Sequence, residues 1–269
     1  TCYGDVTLFS ATVVACNGRH LFDASGLVEI TGDLRLNSLS TDITNVTLPN
    51  LVIVGQDLYV ADVAAETMSL SFPSLVNVSG DVYFSRIYSE TVDLSSLRNV
   101  GGDVYFYDLR YLAVLELPAL TIVGGQFHAY YLCGDYSRCY LFTGTIGIDI
   151  DKLESVGSFF IIQSNYYMTS FNASALASVG TYFSFDSNQR LAELSFESLA
   201  FVGGYLRIEG CDALITAAFN SLSSVGLGSG VYSYQSTTSC SVSGESEVVC
   251  VNDNNALEMI AFRSLDYDS

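Results

Sequence analysis

Leu97-Arg98-Asn99-Val100-Gly101-Gly102-Asp103-Val104-Tyr105-Phe106 is one complete copy of a unit that recurs along the chain: Leu-x-x-Val-Gly-x-x-apolar-x-apolar. Working outward, the same unit returns at Leu51–Gly55, Leu120–Gly124, Leu153–Gly157, Leu176–Gly180, Leu199–Gly203 and Leu222–Gly226. In Leu27–Gly32 and Leu75–Gly80 the glycine is shifted by one residue. The Val/Ile anchors stand at 30, 54, 78, 100, 123, 156, 179, 202 and 225, spaced 24, 24, 22, 23, 33, 23, 23 and 23 residues apart, with Leu three positions before every one. A fixed period of this size marks a solenoid. The one long interval is a period plus ten residues, so an insertion is expected at 133–142.

The side-chain pattern says which kind of solenoid. After each glycine the residues alternate, as in Asp57-Leu58-Tyr59-Val60 and Asp81-Val82-Tyr83-Phe84, which is the period of a half-buried strand. Leu34, Leu58, Val82, Val104, Phe127, Phe160, Phe183 and Leu206 are then the inward residues, stacked turn upon turn. The glycine is expected to take a positive φ and swing the chain into the strand. A second apolar site precedes each anchor at Leu48, Phe72, Leu94, Leu117, Phe196 and Phe219; Pro49, Pro73 and Pro118 follow three of these, marking a corner that needs no ladder donor. A period of 23 is too short for a βαβ unit of ~30 residues. The reading is an all-β chain forming a single parallel β-helix of about nine coils, roughly 43 Å long at ~4.8 Å per coil. Its ends need capping: residues 1–26 form an N-terminal cap, 27–230 the repeats, and 231–269, where the repeat is lost, a C-terminal cap or tail.

Composition narrows the function. The 269 residues include 18 Tyr, 16 Phe, 3 Pro and no Trp, with 29 Asp+Glu against 10 Lys+Arg, a formal charge of −19. So negative a chain repels phosphate backbones and anionic lipid, which argues against nucleic acid and membrane surfaces as partners, and no apolar run approaches the ~18 residues of a membrane helix. The seven cysteines fall as close pairs, Cys2/Cys16, Cys133/Cys139 and Cys240/Cys250, with Cys211 left over. That usage reads as local disulfides in an oxidising compartment, with Cys211 able to replace Cys250 as the partner of Cys240. Sequons at Asn45, Asn77 and Asn172 agree with secretion. The first residues lack a charged and an apolar leader region, so a signal peptide is expected to have been removed.

The unit Leu-x-x-Val-Gly-Gly-Asp-Val-Tyr-Phe resembles the receptor L-domain repeat of growth-factor receptor ectodomains and of fungal sporulation-specific, cell-wall-anchored glycoproteins. The opening Cys2-x-Gly-Asp-Val-Thr-Leu with Cys16 is similar to the N-terminal cap of the fungal group. The resemblance covers roughly residues 2–230 and implies a right-handed β-helix, an extracellular location, N-glycosylation and no catalysis. A cysteine-rich module and a Ser/Thr-rich stalk have no counterpart in the sequence, so neither receptor signalling nor wall attachment carries over.

Chemistry is sparse. The chain has one lysine, Lys152, and two histidines, His20 and His128, in no nucleophile or metal-ligand constellation. Gly124-Gly125 and Gly203-Gly204 are repeat turns rather than phosphate loops, because no helix or Lys follows them. An enzyme is not expected, nor a cofactor.

Two outward rows stand out instead. Asp33, Asp57, Asp81 and Asp103 occupy equivalent positions, where neighbours repel by about 1 kcal/mol even in water. They are either a weak row of calcium ligands or, as the flat ladder favours, acceptors for turn amides. Tyr59, Tyr83, Tyr105 and Tyr107 run beside them, either a sugar- or protein-binding row or good cross-strand pairs. Farther on, Phe159-Phe160-Ile161-Ile162 is apolar at four successive positions. With Tyr182 and Tyr205 this predicts an apolar outer patch at Phe159, Ile161, Tyr182 and Tyr205 that another protein covers. The function expected is an extracellular structural or adhesive glycoprotein, self-assembling or bound to another extracellular protein. The alternative is a carbohydrate-binding module using the tyrosine row. An ice-binding solenoid ranks last, for want of a threonine array.

Overall fold

A computed structural model describes residues 6–9, 13–16, 19–21, 26–37, 45–63, 69–88, 91–109, 112, 114–132, 147–226, 249–252 and 259–262; for 6–9, 13–16, 19–21, 45, 114, 249–252 and 259–262 it describes the backbone path only. The described residues form an all-β parallel solenoid. Each turn contributes one strand to a long sheet, one to an anchor sheet and one to a third side.

The anchor sheet has nine two-residue strands, one per repeat copy, from Glu29–Ile30 to Ser224–Val225. Seven of the eight intervals between them are regular turns of 22 to 24 residues, and the eighth carries the insertion. The long sheet pairs twelve strands, eight of them repeat strands from Leu34–Asn37 to Leu206–Glu209. The third side is made of three short sheets in series, of three, two and four strands.

Register is strict because equivalent residues pair. Val82 lies between Leu58 and Val104, and Phe160 between Phe127 and Phe183. Inward side chains therefore stack in unbroken columns. All nine leucines of the Leu-x-x-Val unit are buried, as are the eight inward strand residues and the corner residues from Leu48 to Phe219. At the corners the chain makes a hydrogen-bonded turn: the Leu51 N–H donates to the Leu48 carbonyl across Pro49 at 3.3 Å, and Leu75 to Phe72 across Pro73 at 3.1 Å. Proline at the second turn position is preset for this geometry.

The glycines do not act as the sequence suggested. Among the described residues the only glycine with positive φ is Gly210, at +61°. The repeat glycines are required for room. A Cβ on Gly124 would strike the carbonyl oxygen of Gly101, and the same collision links Gly157 to Gly124, Gly180 to Gly157 and Gly203 to Gly180. Where stacked backbones approach this closely, no side chain fits. The left-handed conformation is found elsewhere, at the end of seven of the eight repeat strands of the long sheet: Asp62, Arg86, Asp108, Tyr131, Ser164, Ser187 and Gly210 all have φ between 50° and 61°. This residue breaks the alternation, so that the next one points inward. The result is a further buried column of Val63, Ile87, Leu109, Leu132, Asn165, Asn188 and Cys211.

Both ends of the long sheet are extended. Val6–Phe9 pairs in parallel with Leu34–Asn37, and Val13–Cys16 and Arg19–Leu21 then add as antiparallel strands. At the other end, residues 231–269 do not simply leave the repeat. Val249–Asn252 continues the long sheet beside Leu206–Glu209, and Met259–Phe262 continues the third side beside Thr216–Phe219. These segments alternate as strands but lack the Leu-x-x-Val-Gly unit, so the period does not mark them. The insertion at 133–142, Cys2, Cys133, Cys139 and Cys240, and the side chains of Cys16 and Cys250, lie outside the described residues, and with them all three expected disulfides.

Candidate binding face

The outer face of the long sheet carries three columns of side chains, set by the strict register. The first column begins with the aspartates. Their carboxylates form a ladder with the backbone: the Asp57 amide donates to Asp33 Oδ1 at 3.0 Å, Asp81 to Asp57 at 2.9 Å, Asp103 to Asp81 at 2.7 Å, and Gln126 to Asp103 at 2.9 Å. Each carboxylate thereby takes the amide that enters the next strand, an acceptor role that offsets the repulsion along the row. Glycine precedes Asp81, Asp103 and Gln126, and at Gly80, Gly102 and Gly125 a Cβ would meet the carboxylate of the turn before. At the first rung Arg35 binds Asp33 as well, at 2.6 Å. Partial burial alone would raise the Asp33 carboxyl, but the Asp57 amide and the Arg35 guanidinium outweigh it and hold it below the usual value. Among the described residues no group of three or more His, Cys, Asp or Glu is placed to hold a metal ion.

Beyond Gln126 the same column changes chemistry and becomes Phe159, Tyr182 and Tyr205. Phe159 and Tyr182 are 4.3 Å apart between ring centroids, and Tyr182 and Tyr205 stack at 4.7 Å with planes 3° apart. In the single chain these rings and Ile161 are half-buried, and the three rings cover one another along the column.

The middle column runs Arg35, Tyr59, Tyr83, Tyr105, His128, Ile161, Ser184, Arg207. Tyr59 and Tyr83 stack at 4.8 Å and Tyr83 and Tyr105 at 5.1 Å, with planes 2° and 3° apart. His128 meets Tyr105 edge to face at 5.0 Å. Burial keeps the His128 imidazole below its ordinary pKa, against a hydrogen bond with Gln163. The outermost column adds Tyr107 and Tyr130, stacked at 5.3 Å, with Tyr131 against Tyr130 at 4.4 Å. Burial, followed by the neighbouring tyrosines, raises the phenols of Tyr105 and Tyr130. Asp81, Tyr83, Asp103, Tyr105 and Gln126 line a shallow groove between the first two columns.

Tyr59, Tyr83, Tyr105 and Tyr107, singled out from the sequence, thus belong to a larger aromatic band with His128 and Tyr130. Tyr130 was legible, since it stands two residues past His128 on the same outward alternation. The stacking also limits what the band can do. A sugar ring packs on the face of an aromatic ring, and here the faces are covered by the next tyrosine, leaving edges and hydroxyls outward.

The sequons sit on the other two sides. Asn77 is in the anchor sheet, half-buried, its amide donating to the Ser79 hydroxyl at 3.3 Å. Asn172 is exposed on the third side and donates to Asp151 at 3.2 Å. Asn45 opens the third-side strand Asn45–Thr47, and its side chain lies outside the described residues. Cys211 occupies the last place of the Asn165–Asn188 column, where burial pushes its thiol up to about 12. It is a packed core residue. No family model, no curated protein and no solved structure matches the chain.

Proposed function

We propose that this chain is an extracellular structural or adhesive glycoprotein, a rod-shaped subunit of a surface, wall or filament layer that binds copies of itself. The observation that carries the reading is the aromatic band on the outer face of the long sheet: a flat, ribbed surface of stacked ring edges in a chain of net charge −19. Such a surface has the form of a protein contact rather than of a pocket that engulfs a small molecule. The likeness to receptor L-domain repeats supports secretion, N-glycosylation, right-handed winding and disulfide-bearing caps, and the three sequons and paired cysteines agree with it.

The second reading is carbohydrate binding at the groove of Asp81, Tyr83, Asp103, Tyr105 and Gln126, whose carboxylates, phenols and amide could meet sugar hydroxyls. Secreted chain should sediment as more than one copy and give no saturable signal on a glycan array. Saturable glycan binding lost in Tyr83→Ala would establish the second reading in its place.

A further inference from the structure

The long-sheet face differs from the other two sides in three ways. Neither described sequon asparagine side chain, nor the strand that Asn45 opens, belongs to it, so glycans at these positions leave it bare. Its middle column carries no carboxylate from Arg35 to Arg207, in a chain with 29 Asp+Glu against 10 Lys+Arg. Its first column is divided into unlike halves, aspartates over the first four rungs and Phe159, Tyr182 and Tyr205 over the last three, with Gln126 between.

A reversed copy sets the two unlike halves of the first column against each other, and sets Arg35, paired to Asp33, opposite Arg207, paired to Glu209. Lay two long sheets face to face with the rods antiparallel and a two-fold axis through the middle rungs. Asp57 of one copy then faces Tyr182 of the other, Asp33 faces Tyr205, and Asp81 faces Phe159. The first carboxylate oxygen of Asp57 is held by the ladder, which leaves the second to accept the Tyr182 hydroxyl. Parallel rods facing each other would lack this sorting of the first column, since a two-fold along the rod sets each rung against its own equivalent. Eight rungs at ~4.8 Å and five side-chain positions at ~3.3 Å make a face of roughly 38 by 16 Å. Two copies would bury about 1,200 Å², the lower end of specific, stable interfaces.

We propose that the long-sheet face is a homotypic contact, and that its occupant is a second copy of this chain in antiparallel, two-fold orientation. The inference rests on the self-assembly reading above and names its geometry. A two-fold contact closes on itself, so the pair is a building unit, and a layer or filament must grow through another surface.

The test uses the secreted, glycosylated chain in sedimentation velocity up to roughly 1 mM, the weak limit of useful association. One variant places a sequon on the long face, Arg207→Asn with Glu209→Thr. Its control places one on the third side, Ser195→Asn with Glu197→Thr. The parent chain and the control should form pairs, while the long-face variant stays at the mass of one glycosylated copy. Orientation is read from Phe159: Phe159→Lys faces Asp81 in the antiparallel pair and should tighten it about tenfold, whereas Phe159→Asp should weaken it by at least as much. Circular dichroism checks that each variant keeps its β-sheet. Equal weakening by Lys and Asp overturns the antiparallel register. Association that survives the long-face glycan but not the third-side glycan overturns the face and leaves self-assembly standing. A parent chain that stays single at every concentration overturns both.

Discussion

Gly180 stands where a methyl group has no room, because the carbonyl of Gly157 occupies the space a Cβ would fill. Gly180→Ala forces two stacked backbones apart and should cost about 3 kcal/mol, the upper range for an overpacked interior. Gly210 is a different case: its constraint is a φ of +61°, which other residue types adopt at six equivalent positions, so Gly210→Asn should cost less than about 1 kcal/mol. Chemical denaturation of both variants checks the contrast. The glycines were plain in the sequence but their reason was not, since a close approach between turns is a long-range fact while positive φ is the familiar local one. His128 offers a pH readout. Burial among Tyr105, Tyr130 and Gln163 holds its folded pKa below the ordinary 6.5. The unfolded chain therefore takes up the proton first, so stability is full above about pH 6.5 and declines as pH falls toward the folded value. His128→Phe should flatten that decline in thermal melts just below about pH 6.5, the part of the acid limb closest to neutrality. Loss from Asp33, also held below its usual value, enters only at more acid pH.

At the level of the element, each long-sheet strand begins on a carboxylate that accepts the next strand's amide. Asp81→Ala removes the acceptor for the Asp103 amide at 2.7 Å and should lower stability by about 1 kcal/mol, while Asp81→Asn, which keeps an oxygen, should lose less. If the ladder is bonded by amides, EDTA leaves the melting temperature unchanged; a fall that calcium restores would give the row a metal role. The interior ladder has more at stake. Asn188 accepts the Asn165 amide at 2.9 Å and donates to the Ile162 carbonyl at 2.8 Å, fully buried. Asn188→Ala leaves both groups without a partner away from water and should cost about 3 kcal/mol in denaturant unfolding. This column escaped the sequence reading even though Asn165, Asn188 and Cys211 each lie nine residues after an anchor, as Val63, Ile87 and Leu109 do. The period of two ends at the left-handed residue, and alternation counted past it assigns the wrong face. The strands, the inward columns and the corners were legible because local alternation and period sufficed. The ladders were not, because they are bonds between turns.

At the scale of the molecule, the strands of the described residues pair turn to adjacent turn, so stability is close to a sum of turn and interface terms. The outer face follows the same logic: its columns were readable one by one, while their union into an aromatic band depended on which residues the register brings side by side. The glycine stack sets a further condition on how such a chain can change in length. From Gly101 onward each turn places its glycine over a carbonyl of the turn below, the four aspartates each take the amide of the next turn, and every copy keeps its leucine in the buried column. Losing or gaining one or two residues within a strand throws all of these columns out of step together. A whole turn can be removed or duplicated with every column rejoined, and extra residues are tolerated where the chain leaves the columns, as in the 33-residue interval between Val123 and Val156. Heritable change in this molecule's length should therefore come in quanta of about 23 residues, or as change in the segments between strands, where intervals of 22, 24 and 33 residues already occur, and the reach of the rod is adjustable only in discrete steps of ~4.8 Å.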